Sequence, residues 1–327
     1  MTSSPDGPHG LLVLDKPAGI TSHDLVSRTR RALRTRKIGH AGTLDPMATG
    51  VMLLGVGDAT RLLTYFVGDD KTYSATIRLG ATTSTEDAEG ELLEVGPAEA
   101  VAALDEEAIR AQMTRLTGEI SQVPSAVSAI KVDGKRAYQR VRDGEEVELA
   151  ARPVRIHRFE LEDAGQAREA MLPDGSTALV RDLEVEVDCS SGTYIRALAR
   201  DLGAALGVGA HLTRLRRTRV GAFALDRATT LPEPAAKAPE PNPDVLAALI
   251  PPAALAATAF PVWRASADEA PAFRNGRRVE APERLLAERG PVAVLDASGA
   301  LIGLVEVRGG LSRTLVNLPQ RAAGEAS

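Results

Sequence analysis

Several residue types are scarce in this chain of 327 residues, and each scarcity excludes something. It has one cysteine, Cys189, which rules out an internal disulfide and any cysteine-based zinc site and suits a reducing compartment. The five histidines (His9, His23, His40, His157 and His211) never fall at metal-ligand spacing, so no metal is expected. Aromatic residues make up 3%, too few for a stacking platform that grips single-stranded nucleic acid. No stretch approaches the roughly 18 consecutive apolar residues of a membrane span. The opening MTSSPDGPHG lacks the basic start and apolar core of a secretory signal, so a cytoplasmic protein is expected, without a membrane partner. Basic residues are in the minority, 39 against 44 acidic ones, for a formal charge of −5. Taken as a total, that balance argues against a nucleic-acid partner.

What is present changes that inference. At 44% hydrophobic and 25% charged the composition is that of an ordinary globular protein. A prior of roughly 150 residues per domain suggests two domains. The charges are segregated: Arg28 to Lys37 holds six basic residues and no acid, while Ser84 to Ile109 holds nine acids and no base. From His211 to Val220, Arg214, Arg216, Arg217 and Arg219 again occur without an acid. Nucleic acid responds to local potential, so two acid-free basic segments outweigh the acidic total. One such run alone would read as a solvated helix face.

The chain divides into recognisable pieces. Leu11 to Leu14 reads as a strand, and Thr21 or Ser22 caps a helix with the stripe Leu25, Val26, Thr29 and Leu33. Gly39 to Gly50 reads as a loop, Val51 to Leu54 as a strand, and Asp58 as the cap of a short helix through Phe66. Tyr73, Ala75, Ile77 and Leu79 alternate with polar residues as in a half-buried strand. Asp105 caps a helix bearing Ile109, Met113 and Leu116, and Asp133-Gly134 marks a hairpin. Val154 to Leu161 and Leu179 to Cys189 read as strands joined through a surface hairpin at Pro173-Asp174-Gly175. Tyr194 to Leu206 is a helix ended by Gly207, and Arg219 to Leu225 a further strand. Seven prolines between Thr229 and Pro252 predict an extended, semi-rigid linker. Beyond it, Val292 to Leu295, Leu301 to Val307 and Thr314 to Leu318 form a β-rich module of roughly 60 residues.

The segment GHAGTLDPMATG, residues 39 to 50, is the most informative. Between Ile38 and Gly57 the only ionisable side chains are His40 and Asp45. An isolated Asp in a loop serves either as an Asx-turn or cap, or as a functional carboxylate. Pro46 restricts Asp45 to extended backbone angles, and Gly39, Gly42 and Gly50 permit tight turns and close approach of a ligand. Such a loop holds a carboxylate in one orientation, as nucleophilic catalysis requires. Gly55-Val56-Gly57 lacks the third glycine of a dinucleotide site and the lysine of a phosphate loop.

GHAGTLDPMATGVMLLGVGDATRL resembles the catalytic signature of the bacterial tRNA pseudouridine-55 synthase (TruB) family. LLVLDKPAGITSHDLV (11 to 26), KTYSATIRLG (71 to 80), QVPSAVSAIKVDGKRAY (122 to 138), SSGTYIRALARDLG (190 to 203) and AHLTRLRRTRVGAF (210 to 223) extend the likeness in the family's order. The resemblance implies an α+β pseudouridine-synthase fold with a mixed, mainly antiparallel sheet and flanking helices. It further implies a catalytic domain over residues 10–228, a Pro-rich linker over 229–252, and a small C-terminal β-rich PUA-like RNA-binding domain over 253–319. Arg274, Asn275, Gly276 and Arg277 resemble the start of that last domain.

The implied activity is isomerisation of uridine-55 in the T-loop of tRNA, without cofactor and as a monomer with no protein partner. Asp45 matches the nucleophile. Tyr73 matches the tyrosine that stacks on the base, and Arg196 the arginine paired with the catalytic carboxylate; it lies off the apolar stripe of its helix and is free to reach across a cleft. Tyr194 and Leu215 match contacts to the base, and His40 the histidine that enters the space of the extruded nucleotide. Arg28, Arg30, Arg31, Arg34, Arg214, Arg216 and Arg217 are the expected phosphate contacts, since binding must repay a base-flipping cost of a few kcal/mol. Val127 departs from the aromatic residue common in the family, and 163 to 178 looks like a local insertion. The competing reading is a non-catalytic RNA-binding or RNA-folding protein in which Asp45 is only a turn residue. A glycosidase would need a second carboxylate, which the motif lacks.

Overall fold

A computed structural model of the chain describes residues 7–125, 131–132, 135–136, 149–232 and 240–320. The described residues form two compact units. One contains those up to Pro46, Gly50–Val67 and those from Val220 onward; the other contains Met47–Thr49 and Gly68–Arg219.

The first unit begins with β1 (Gly10–Lys16). Thr21 then opens α1 (Ser22–Ala32) with a reciprocal cap: its hydroxyl accepts from the Asp24 N–H, and the Asp24 carboxylate accepts from the Thr21 N–H. The helix buries Ser22, Leu25, Val26 and Thr29. β2 (Ile38–Ala41) and β3 (Thr49–Val56) follow, and both β1 and β2 pair antiparallel with β3. The loop expected from Gly39 is therefore shorter, because Gly39, His40 and Ala41 belong to a strand. Gly39 and His40 carry no β-propensity; pairing with β3 makes the strand, which local sequence cannot reveal. Asp58 is not at a cap position: it is the second residue of a short 3-10 turn, Gly57–Arg61, whose N-cap is Val56, and it pairs with Lys37 at 2.8 Å.

The second unit is built on β4 (Lys71–Leu79), β5 (Gly118–Gln122), β6 (Arg152–Asp163), β7 (Thr177–Cys189), α2 (Ile195–Ala205) and β8 (Ala210–Val220, its last residue in the first unit). The sheet order is β8-β4-β7-β6-β5, with β4/β7, β7/β6 and β6/β5 antiparallel. The expected α+β class with a mainly antiparallel sheet is observed. The Asp105 side chain accepts from the Ala108 N–H at the start of the helix Glu106–Arg115, as its sequence predicts. The excursion at 163 to 178 is a hairpin in which Arg168–Met171 pairs with Thr177–Val180. Lys131–Val132 pairs antiparallel with Lys135–Arg136; the expected turn at Asp133-Gly134, and Val127, lie outside the described residues.

β8 differs from expectation. The strand runs through the basic cluster from Ala210 to Val220, and of the strand expected over Arg219 to Leu225 its first two residues and a separate short strand, Phe223–Ala224, are present. Its arginines hide a period of two: Leu215 and Arg217 face inward while Arg214 and Arg216 alternate with them.

The C-terminal part, in the first unit, has a sheet of β9 (Val262–Arg264), β10 (Val292–Leu295), β11 (Leu301–Arg308) and β12 (Leu311–Asn317) in that order. β9 and β10 are parallel and the remaining pairs antiparallel. The described part of the proline-rich stretch is not extended throughout. Thr229 and Ile250 bridge to Leu14 and Leu11 of β1, and the Asn242 side chain caps the helix Pro243–Ala247. Proline at the first turn leaves no helical donor missing, so these prolines start helices rather than preventing them. A second helix, Pro252–Ala259, places Leu255 and Ala256 in one core with Leu11, Val13, Val51 and Leu53, and with Leu295 and Leu304 of the C-terminal sheet. Among the described residues no helix is long and apolar enough to cross a membrane.

Candidate active site

Asp45 lies half-buried in the loop between β2 and β3, and its two neighbours in sequence are fastened. The Ser22 hydroxyl donates to the Leu44 carbonyl and accepts from the Leu44 N–H, both at 2.9 Å. The Pro46 carbonyl accepts from the Gly19 N–H at 3.0 Å and from Lys16 Nζ at 3.1 Å. Lys16 also donates to the Pro17 carbonyl and is fully buried at the end of β1. The cap of α1 and the end of β1 thus fix the backbone on both sides of the carboxylate. His40, on β2 in the same unit, presents its ring edge-on to His23 at 5.7 Å between centroids.

The other expected site residues belong to the second unit. Tyr73 is buried on β4 opposite Val187, and Leu215 is buried on β8. Tyr194, half-buried, occupies the N-cap position of α2. Its N–H donates to Gln122 Oε1 at 2.8 Å and its carbonyl accepts from Gln122 Nε2 at 3.0 Å, so one buried amide holds the start of the helix.

Arg196 is neither solvated nor free. It is 5% exposed, donates to the Thr85 carbonyl (2.9 Å) and Ser125 Oγ (3.2 Å), and pairs with Asp87 at 3.7 Å. The whole first turn of α2 is buried, not only its apolar stripe, which is why the stripe gave no hint of this. Asp87 itself is ordered by the Thr85 hydroxyl and the Glu89 N–H, both donating to Oδ1.

The arginine clusters sort by burial. Arg31 and Arg34 are exposed at the end of α1, Arg34 with a left-handed φ of 49° just past the helix, and Arg28 is half-buried. Arg30 donates its guanidinium to the Ile38 carbonyl at 3.0 Å, tying α1 to β2. Arg214 is exposed but pairs with Glu184 at 2.5 Å and donates to the hydroxyls of Ser74 and Thr76. Arg216 is half-buried and donates to Thr49 Oγ1. Arg217, expected among the phosphate contacts, is 1% exposed and so is not part of a basic surface. The inward face of β8 takes it beside Lys71, whose ammonium is held below its usual range by burial and then by the Arg217 charge. Cys189 is buried, its thiol pushed up to about 12 by desolvation, and is chemically quiet.

Sequence reasoning missed four residues. Glu86 and Asp87 looked like part of a solvated acidic run, yet both face arginines of α2. Lys16 and Gln122 lie inside the family-like motifs, but neither offered a local signal of its own, since each stands beside another polar residue. Among the described residues no cluster of three His, Cys, Asp or Glu side chains is placed to hold a metal ion.

Residues 30–195 match the TruB family pseudouridylate synthase N-terminal domain. Residues 196–255 match the tRNA pseudouridylate synthase B C-terminal domain, and 260–319 the tRNA pseudouridine synthase II C-terminal domain. The tRNA pseudouridine synthase B of Leifsonia xyli subsp. xyli (strain CTCB07) is 52% identical over 312 residues, 95% of this chain and 96% of that protein. That of Arthrobacter sp. (strain FB24) is 51% identical over 313 residues, 94% of this chain and 95% of that protein. The crystal structure of a Cbf5-Nop10-Gar1 complex contains a chain of the same fold. Its TM-score is 0.66 at 24% identity, covering 94% of this chain and 84% of that one.

Proposed function

The chain belongs to the TruB family of pseudouridylate synthases, and from that premise we propose that it converts uridine to pseudouridine in tRNA. In this reading the target is uridine 55 of the T-loop and the Asp45 carboxylate is the nucleophile. The observation that carries it is the fastening of Leu44 and Pro46 on either side of Asp45, which presets the carboxylate before substrate arrives.

The target base is stacked in the folded loop and must be flipped out, at a cost of a few kcal/mol. Phosphate contacts repay that cost, and Arg31 and Arg34, exposed at the end of α1, together with the half-buried Arg28, are best suited to make them. Attack at ribose C1′ or at base C6 calls on the same ionised carboxylate. The carboxylate forms a bond at C1′ or C6, the glycosidic bond from C1′ to N1 breaks, the uracil turns, and a bond from C1′ to C5 forms as the bond to Asp45 is broken and the carboxylate regenerated. The C5 proton leaves and N1 gains one, so the isomerisation balances without oxidant, energy source or cofactor. By the family resemblance Arg196 is the arginine that serves the nucleophile, Tyr73 stacks on the base and assists proton removal, Tyr194 and Leu215 contact the base, and His40 fills the space it leaves. The protein acts as a monomer in the cytoplasm.

The test uses a base-labelled tRNA transcript with mapping of the converted uridine. Asp45→Asn is expected to abolish conversion while RNA affinity stays within about threefold, because the loss falls on the chemical step. Undiminished turnover by that variant, or conversion only outside the T-loop, overturns the reading.

A further inference from the structure

Arg196 is given a role by the family, but a guanidinium on the first turn of α2 has many accessible directions. Its neighbours decide between them. Two consecutive acids, Glu86 and Asp87, face two arginines one helical turn apart, Arg196 and Arg200. Arg196 takes Asp87, the Thr85 carbonyl and the Ser125 hydroxyl. Arg200 takes Glu86 through Nη1 to Oε1 at 2.7 Å, the Val123 carbonyl through Nη2 at 2.8 Å, and its neighbour Asp201 through Nε at 2.9 Å. The same two segments, 85–87 and 123–125, therefore contact both arginines, and Arg200 ties them together from behind.

Glu86 sits in a conformation that needs holding. Its φ is +62°, a left-handed backbone that a glutamate adopts only under constraint. Its carbonyl accepts from the Leu212 N–H at 3.0 Å, anchoring it to β8. Its Oε2 is buried without a hydrogen-bond partner among the described residues, so Arg200 is the cation that compensates this carboxylate. Loss of that pair would leave a buried charge unmet and release the turn that presents Asp87 to Arg196.

We propose that the Glu86–Arg200 pair is a positioning device for the reaction: it locks the turn at residues 85–87 and thereby sets the direction of Arg196. The inference rests on the reading that Arg196 serves the Asp45 carboxylate. Neither Glu86 nor Arg200 touches substrate; both act through Arg196.

Single-turnover conversion of a tRNA transcript by the full chain tests it. Arg200→Gln and Glu86→Gln are each expected to slow the chemical step by about 10- to 30-fold, with RNA affinity within about twofold. Arg200→Lys, which keeps a cation opposite Glu86, should recover part of the rate. In an Arg196→Lys background, adding Arg200→Gln should cost no more than about a further twofold, because the two residues act as one unit. A purely structural pair would lower the melting temperature and leave the rate constant unchanged, or give losses that multiply in the double variant; either outcome overturns the proposal. Should Arg200→Gln fail to fold, the near-isosteric Glu86→Gln decides the question by the same rate measurement. Asp45→Asn measured alongside separates the two levels. Its retained activity defeats the assignment of the nucleophile, whereas its inactivity with fully active Glu86 and Arg200 variants defeats only the brace.

Discussion

Arg217 and Arg214 stand three residues apart on one strand, the first sealed in the interior and the second open to water with its charge met by Glu184. Removal of so large a side chain from a packed site leaves a void. Arg217→Ala should therefore lower unfolding stability by about 2–4 kcal/mol in a urea titration. The salt dependence of RNA binding should stay as it is; a flatter salt slope with unchanged stability would return Arg217 to the phosphate contacts. His211 supplies a second test at this scale. It is buried with Nδ1 2.8 Å from the Ala81 carbonyl, and its pKa lies below the ordinary histidine value of 6.5, through desolvation first and the nearby Arg78 charge in part. The unfolded chain takes up a proton near that value and the folded chain does not. Stability is thus fully present above pH 6.5 and declines as the pH falls below it. In His211→Asn, whose amide can still donate to Ala81, the melting temperature should change less over that window. An identical slope in both proteins would show that His211 is not the group being titrated.

At the scale of elements, α1 joins two tasks. Its cap and buried face hold Leu44 through Ser22, while its far end carries Arg31 and Arg34 into solvent. An exposed arginine that neutralises one phosphate releases about one counterion, so Arg31→Ala should reduce the slope of log affinity against log salt by about 0.7–0.9. An unchanged slope would remove this helix from the RNA surface. The helix was legible because its signals are local: a Thr-Ser cap and a 3.6-residue stripe. Asp105 and the hairpin near Gly175 were legible for the same reason. β2 and β8 were not. β2 exists through its pairing with β3, and β8 carries arginines on both faces, so its alternation is one of burial rather than of residue type. Arg196 and the acids that hold it were hidden likewise, since Glu86 and Asp87 meet α2 only across more than a hundred residues of chain. Asp45, by contrast, stood out as the one acid within a twenty-residue segment.

At the scale of the whole molecule, the β-rich C-terminal part shares a core with the start of the chain. Leu255 and Ala256 of the helix Pro252–Ala259, with Ala293, Leu295, Leu301 and Leu304, share one buried cluster with Leu11, Val13, Val51 and Leu53 of β1 and β3. The first of these strands carries Lys16, which holds the Pro46 carbonyl, and the second follows the Asp45 loop, so the core that supports the candidate nucleophile is completed by residues from the C-terminal part. Composition suggested a linker because proline was counted without regard to position; at the first turn of a helix it is no breaker. Burying a leucine-sized side chain contributes about 1.5–3 kcal/mol, and several lose their cover together if the chain is cut after Pro251. That sum is comparable with the about 5–15 kcal/mol by which a domain is stable at all. A chain ending at Pro251 should therefore lose its cooperative thermal transition or melt at a much lower temperature, and lose conversion of the tRNA transcript with it. The measurement is a melting curve followed by circular dichroism beside a single-turnover assay. If the shortened chain melted cooperatively near the full-length temperature and lost only RNA affinity, the shared cluster would be incidental and the C-terminal part a separable binding module.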